Sequence, residues 1–421
     1  MNERKVTSSL PLIIVIIVAW QFLLYQPRYA VLHRSVDCNG NGIFDVTEAE
    51  CNCFDCAFGS KCEKVMVDSD QCISEAGFGH PTMFEKYWQG HGTPLAIPLS
   101  DHLAYTLGTS HVLEKLIREL HEKVGNLNVS GKHIVIGSGS TSLIHPAILA
   151  LLKAHGRKSG SLFARRPFYA GYQFFAEECT EIDFFHYETR ELAPDLKGAG
   201  TIEMITSPNN PDGHARMIES QGAKIVDHAY FWPTFTSIDR QPSYGKDTIA
   251  LFTLSKLTGH ASTRIGWAVT DDIEKAKEMR KWIFAKHLDV PREPQLKAIS
   301  VLDHLVHNHH QFFQTFRTLM SSRWQLLHAV FMRTHERVIE NAKQAQMWDA
   351  YAEPHWHHPS PAYAWVRTSS GEDAHAKLMK LGIRSSSGIH YGMNASYARL
   401  QLMMRDEDFF VLLSKLRHHI Q

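Results

Sequence analysis

Residues 253–267 read TLSKLTGHASTRIGW, and Lys256 is the side chain there with the most chemistry to offer. It follows the apolar run IALF at 249–252, which reads as a buried strand, so its amine leaves the strand end among glycine and hydroxyl residues. A lysine placed there is paired, desolvated or covalently used; the plainer alternative is a lysine that snorkels out of a loop. Arg264 follows eight positions on. Three further groups stand at the ends of apolar runs. GSGST (137–141) opens a helix, where backbone N–H groups and hydroxyls make an anion cradle. SPNNPDG (207–213) is a turn signal. DHAYFWPTF (227–235) sets Asp227 at a strand end with Tyr230 three positions later; alone, such a carboxylate reads as a helix cap or a paired structural acid.

The elements that carry these groups are legible as periodicity. VLEKLIRELHEKVGN (112–126) places Val112, Leu113, Leu116, Ile117 and Leu120 on one helical face, with Gly125-Asn126 as a stop. HIVIGSGSTSLIHPAILALLKAHG (133–156) reads as strand, turn and long helix. Further strands are expected at 161–165, 201–207, 223–230 and 248–255. Apolar strands with longer connections between them predict an α/β fold with a mostly parallel sheet. The stretch after Lys256 is too rich in Gly, Ser and Thr to predict a stable helix. Helices are expected at 272–286 and 293–334, then strands at 362–368 and 397–403 in a smaller α+β region.

The chain has 421 residues with 44 basic and 44 acidic side chains, so nothing in its charge argues for a nucleic-acid partner. The histidine clusters HNHH (307–310) and HWHH (355–358) lack matching Cys or carboxylate spacing and read as surface decoration. Arg4 and Lys5 precede the apolar run LPLIIVIIVAWQFLLY (10–25), a signal-type segment. At about 16 residues it is slightly short for a span, and the expectation is an uncleaved membrane anchor, with cleavage and secretion as the alternative. Cys38, Cys51, Cys53, Cys56, Cys62 and Cys72 crowd one window behind it, as a disulfide framework does in the secretory pathway, with the pairing left open. Cys179 stands apart and is expected to be a buried free thiol. DCNGNGIFDVTE (37–48) also matches a calcium loop, with Asp37, Asn39, Asn41 and Glu48 as oxygen ligands and Gly42 at the turn. The spacing CNCFDCAFGSKC looks instead like an EGF-like module, with Gly59 at a tight turn; calcium in its first loop stays open. Asn128 and Asn394 begin N-x-S sequons.

Taken in order, GSGST, an aromatic pair, SPNNPDG, DxxY and SKxTGHxxxR resemble the pyridoxal-phosphate enzymes of fold type I. Within these, RELHEKVGN (118–126), VDHAYFWP (226–233), SKLTGHASTRIGWA (255–268) and SPAYAWV (360–366) are similar to the alliinase and tryptophan-aminotransferase-related family, over about residues 36–415. The resemblance implies a large domain with a mostly parallel central sheet (about 110–300). It also implies a smaller α+β domain (74–109 and 301–421), an EGF-like module at 36–73 and a tail with anchor at 1–35. It implies that Lys256 forms a Schiff base with pyridoxal 5'-phosphate and then moves the substrate α-proton, and that Asp227 faces the pyridine nitrogen. Tyr230 and Asn210 would bond the ring O3'. Ser140, Thr141, Ser255 and Arg264 would hold the phosphate. Tyr169 would stack on the ring, with Phe168 as its competitor, and Arg399 would clamp the substrate carboxylate. Gly79 belongs to a segment over the substrate that in relatives usually reads G-D-P; here it reads Gly79-His80-Pro81, which puts the substrate in question. A tyrosine reaching the phosphate from a second subunit of a homodimer would be Tyr105.

The activity so implied is transfer of the amino group of an L-amino acid, tryptophan or another aromatic among them, to a 2-oxo acid. The alternatives are a carbon–sulfur lyase that cleaves S-alkyl-cysteine sulfoxides to pyruvate and ammonia, and an inactive extracellular binding protein.

Overall fold

A computed structural model describes residues 38–39, 42–45, 49–53, 56–65, 72–92, 95, 97, 108–178, 181–188, 198–216, 218, 222–331, 337–339 and 360–418. The apolar segment 10–25, Asp37, Asn41, Glu48, Tyr105, Cys179 and the 355–358 histidines lie outside them. The chain divides into two units, Met1–Cys72 and Ile73–Gln421.

In the first unit Gly42–Asp45 pairs antiparallel with Glu50–Cys53, and Ala57–Phe58 with Lys64–Val65. Disulfides join Cys38 to Cys51, Cys53 to Cys62 and Cys56 to Cys72, the chemistry of an oxidising compartment. Gly59, at φ 104°, makes the expected tight turn. Asn39 donates its amide to the Lys61 carbonyl (2.7 Å), and with Asp37, Asn41 and Glu48 outside the described residues the calcium reading stays an expectation. Among the described residues no cluster of three or more His, Cys, Asp or Glu is placed to hold a metal, and no helix is long and apolar enough to cross a membrane.

The second unit is α/β. Its sheet has seven strands: β1 (His133–Gly137), β2 (Gly160–Arg165), β3 (Ile182–Tyr187), β4 (Thr201–Thr206), β5 (Ala223–Asp227), β6 (Thr248–Thr253) and β7 (Gly266–Thr270), in the order β1-β7-β6-β5-β4-β2-β3. All run parallel except β7, which is antiparallel to both its neighbours. Strands β5 and β6 are buried along their whole length, as strands with both faces covered must be. Alternate side chains feed two cores. Ile134, Ile136, Ala250, Phe252, Trp267 and Val269 enter one, and Val135, Ile249, Leu251 and Ala268 the other.

Helix α1 (His111–Val124) opens on Ser110, whose side chain accepts from Leu113 N, and closes on left-handed Gly125. Helix α2 (Thr141–Ala154) follows β1, α3 (Ile273–His287) follows β7, and α4 (Arg292–Phe331) kinks at Asn308. A smaller sheet contains β8 (Tyr363–Thr368), β9 (Ser386–Ser387) and β10 (Tyr397–Gln401).

Two expectations need correction. Strands β5 and β6 stop at Asp227 and Thr253, because the residues beyond turn away from the sheet to build the site. The Lys256 stretch does form one helical turn, Leu254–Thr258, followed by a 3-10 turn at Ala261–Thr263. Strands β3 and β7 were not legible: β3 is an edge strand with exposed aromatics, and β7 is a short run opening on glycine.

Candidate active site

The groups at 137–141, 207–213, 227–230 and 253–264 leave one edge of the large sheet, and Arg399 and Gly79 join them from outside it. Residues Gly137, Gly266 and Thr253 lie side by side in register, as do Thr206 and Asp227. The carboxyl ends of β1, β4, β5 and β6 therefore meet at one crevice, where ligands bind in open α/β sheets. A cavity of about 790 Å³ opens there, lined by Gly79, Ser140, Thr141, Tyr169, Asn210, Asp227, Tyr230, Ser255, Lys256, Arg264 and Arg399.

Lys256 is positioned by a self-capped turn: Thr253 Oγ1 accepts from Ser255 N (3.2 Å), and left-handed Gly259 ends the helix. Its ammonium donates to the Gly79 carbonyl. Burial, with the charges of Arg399 and Arg264 nearby, pushes the amine down to about 7. A substantial share of it is thus a neutral nucleophile near pH 7.

Asp227 is 6% exposed. Its Oδ2 accepts from the Tyr172 hydroxyl (2.9 Å) and its Oδ1 from Ala229 N (3.0 Å). Burial holds its carboxyl above the usual range against both hydrogen bonds and the pull of Lys256. A cation bound beside it would be strongly favoured.

At the other wall, Arg264 lies in the left-handed region (φ 52°) and gives Nη2 to the Ser138 carbonyl (3.4 Å). A Cβ on Gly139 would stand 2.4 Å from that nitrogen, and one on Gly266 would stand 2.3 Å from Ser140 N. At Gly266 the obstructing atoms are backbone, so glycine is required there; at Gly139 a side chain would displace the Arg264 guanidinium and strain a φ of 86°.

Arg399 comes from β10. Its Nη1 donates to Asn210 Oδ1 (2.9 Å) and its Nη2 to the Gly77 carbonyl (2.5 Å), and its guanidinium lies over the rings of Tyr363 (4.2 Å) and Tyr391 (5.2 Å). Its buried Nε has no hydrogen-bond partner, which suits an arriving carboxylate. Tyr230 and Tyr363 share a hydroxyl hydrogen bond of 2.6 Å. Tyr169 lines the cavity, whereas Phe168 is buried against Phe184 and His186.

Sequence reasoning missed Tyr172, Thr206, Tyr363 and Tyr391. Tyr172, Thr206 and Tyr363 stood inside stretches already singled out; Tyr391 carried no signal of its own.

The donors fit one phosphorylated pyridine aldehyde. A cation and a helix N-terminus suit its phosphate, a buried carboxylate suits a protonated ring nitrogen, and a depressed-pKa amine suits its carbonyl. A parallel sheet bearing this set at its carboxyl edge defines a pyridoxal-phosphate enzyme of fold type I, an aminotransferase or a carbon–sulfur lyase. The solved structures agree on the fold. A putative kynurenine aminotransferase from Saccharomyces cerevisiae superposes with a TM-score of 0.61 over 82% of this chain and 90% of its own, at 14% identity. The family model described as Allinase matches residues 74–420. Tryptophan aminotransferase-related protein 3 of Arabidopsis thaliana is 28% identical over 92% of this chain and 88% of its own length. An alliin lyase of Allium cepa var. aggregatum is 28% identical over 95% and 94%. The chain belongs to the alliinase family.

Proposed function

We propose that this protein is an aminotransferase that takes an L-amino acid as donor and a 2-oxo acid as acceptor. Bound pyridoxal phosphate supplies an electron sink for the bond broken at the substrate α-carbon. Lys256 would hold the cofactor covalently through its carbonyl carbon and, once displaced, carry a proton from the substrate α-carbon to the cofactor carbon beside it. Arg264, Ser140, Thr141 and Ser255 would hold the phosphate. Asp227 would face the ring nitrogen and keep it protonated, and Tyr230 and Asn210 would orient the ring oxygen. Tyr169 would cover the ring face. Arg399 would take the substrate carboxylate, which fixes the α-carbon near the lysine.

One observation carries the choice of reaction. Among the described residues lining the cavity, Asp227 is the only carboxyl group, and it is held by Tyr172 and the Ala229 amide. Transamination needs one proton carrier, and Lys256 serves. Elimination gains from a second acid at the departing β-substituent, and the candidate beside Gly79, His80, is held below its ordinary range by partial burial and by Lys256. Phe78, Phe174 and Ile144 also line the cavity and suit an apolar or aromatic side chain.

The test is a product assay on the full-length, disulfide-intact protein supplied with cofactor. Tryptophan, phenylalanine, alanine and an S-alkyl-cysteine sulfoxide are each given with and without pyruvate or 2-oxoglutarate. The expected result is a 2-oxo acid from the donor and a new amino acid from the acceptor, in equal amounts. Pyruvate and ammonia from the sulfoxide without any acceptor would make it a lyase instead.

A further inference from the structure

Asp227, Tyr172 and Thr206 form a buried line of three polar groups. Tyr172 is fully buried and Thr206 is 2% exposed. The Tyr172 hydroxyl lies 2.9 Å from Asp227 Oδ2 and 2.6 Å from Thr206 Oγ1. A phenol has one proton, and the carboxylate can only accept. Tyr172 therefore donates to Asp227, and Thr206 must donate to Tyr172. With the Ala229 amide on the other oxygen, the ionised carboxylate meets a donor on each side; a proton on Oδ2 would reverse the line through Tyr172 to Thr206. We propose that Tyr172, oriented by Thr206, is a positioning residue that holds Asp227 ionised and aimed at the cofactor ring. The inference rests on the reading of Asp227 as the partner of the ring nitrogen.

The sequence supports the division of labour. Tyr169 and Tyr172 are three apart in one stretch, RRPFYAGY, so a single turn sends one ring to the cavity and the other beneath it. Their rings meet edge to face at 5.3 Å. The titratable and charged groups facing Asp227 are Lys256 from the turn after β6 and Tyr169 and Tyr172 from the segment after β2. Only Tyr172 among them offers a hydrogen bond.

Y172F keeps the ring and its packing and removes the donor. A hydrogen bond to a charged group of this kind corresponds to roughly 10- to 100-fold. The expectation is a fall in kcat of that size with little change in KM, an acidic limb of kcat/KM moved to higher pH, and weaker cofactor binding by titration. T206V leaves the Tyr172–Asp227 bond and should move each quantity the same way by less. A readout independent of turnover is the melting temperature of the cofactor-free protein against pH. An aspartate held above its usual range loses stability as pH rises from about 3.9 through its folded value, and Y172F should extend that loss to higher pH. D227N separates the two claims. If D227N is crippled while Y172F keeps the parent's acidic limb, cofactor affinity and pH–melting curve, Tyr172 is packing only and the proposal is overturned. If D227N itself behaves as the parent, the reading of Asp227 has failed and the proposal falls with it.

Discussion

Lys256 owes its reactivity to placement. Desolvation comes first and the charges of Arg399 and Arg264 second; Asp227 opposes them. An amine set at about 7 predicts how the cofactor-free protein captures pyridoxal phosphate. The rate should rise with pH through about 7 and level off, where an ordinary lysine would still be gaining beyond pH 9. Stopped-flow absorbance of cofactor loading measures this, and a rate still climbing at pH 9 would contradict it. Replacing Arg399 by Met should move the midpoint upward. Lys256, Asp227, Asn210, Tyr230, Arg264 and Arg399 were legible because each sits at a strand end or in a motif with a recognisable neighbour. Tyr391 was not, since nothing local in GIHYGMN says that its ring will lie against a guanidinium on a neighbouring strand.

At the scale of elements, β7 joins the lysine turn to the anion cradle. It sits between β1 and β6, and its first residue, Gly266, packs against the backbone of Gly139 and Ser140. G266A would force a methyl group to 2.3 Å from Ser140 N and 2.9 Å from Phe252 O, atoms that no side-chain rotation can clear. The expected cost is about 1–3 kcal/mol or more, with weakened cofactor retention, read by thermal denaturation and by gel filtration of the loaded protein. Gly245 meets nothing within 4 Å, so G245A should be silent in both. The parallel core strands could be read from their apolar runs, which are long and bounded by turn residues. Strand β7 could not: its apolar content is three residues, and only its neighbours on both sides make it a strand. The end of α1 shows the opposite case, where a motif marked a joint. His121 donates Nδ1–H to Asn126 Oδ1 (2.7 Å) and accepts from Trp267 Nε1 (2.9 Å), so RELHEKVGN ties α1 to β7.

For the molecule as a whole, two buried histidines set a limit at acid pH. His121 and His228 are both pushed down to about 4, chiefly by burial. His228 is held by the Ser207 carbonyl (2.7 Å) and the Tyr244 hydroxyl. Below about 6.5 the unfolded chain binds these protons and the fold refuses them. Their contribution is complete above that pH and is lost as pH falls toward 4, by up to about 3 kcal/mol for each. The melting temperature should therefore drop steeply between pH 6.5 and 4; a flat profile there would contradict the assignment. The disulfide framework was legible from the cysteine window alone. The pairing was not, because spacing does not fix which sulfurs meet.

The lysine's partner at the cavity wall is a main-chain carbonyl, that of Gly79. No replacement of a side chain removes it, and any side chain at 79 would collide with the Tyr363 hydroxyl, 2.4 Å from where its first carbon must go. The flanking Phe78 and His80 are exposed on the cavity rim. A substitution at 78 or 80 would thus alter the rim and leave the lysine's carbonyl partner in place, whereas one at 79 would disturb both.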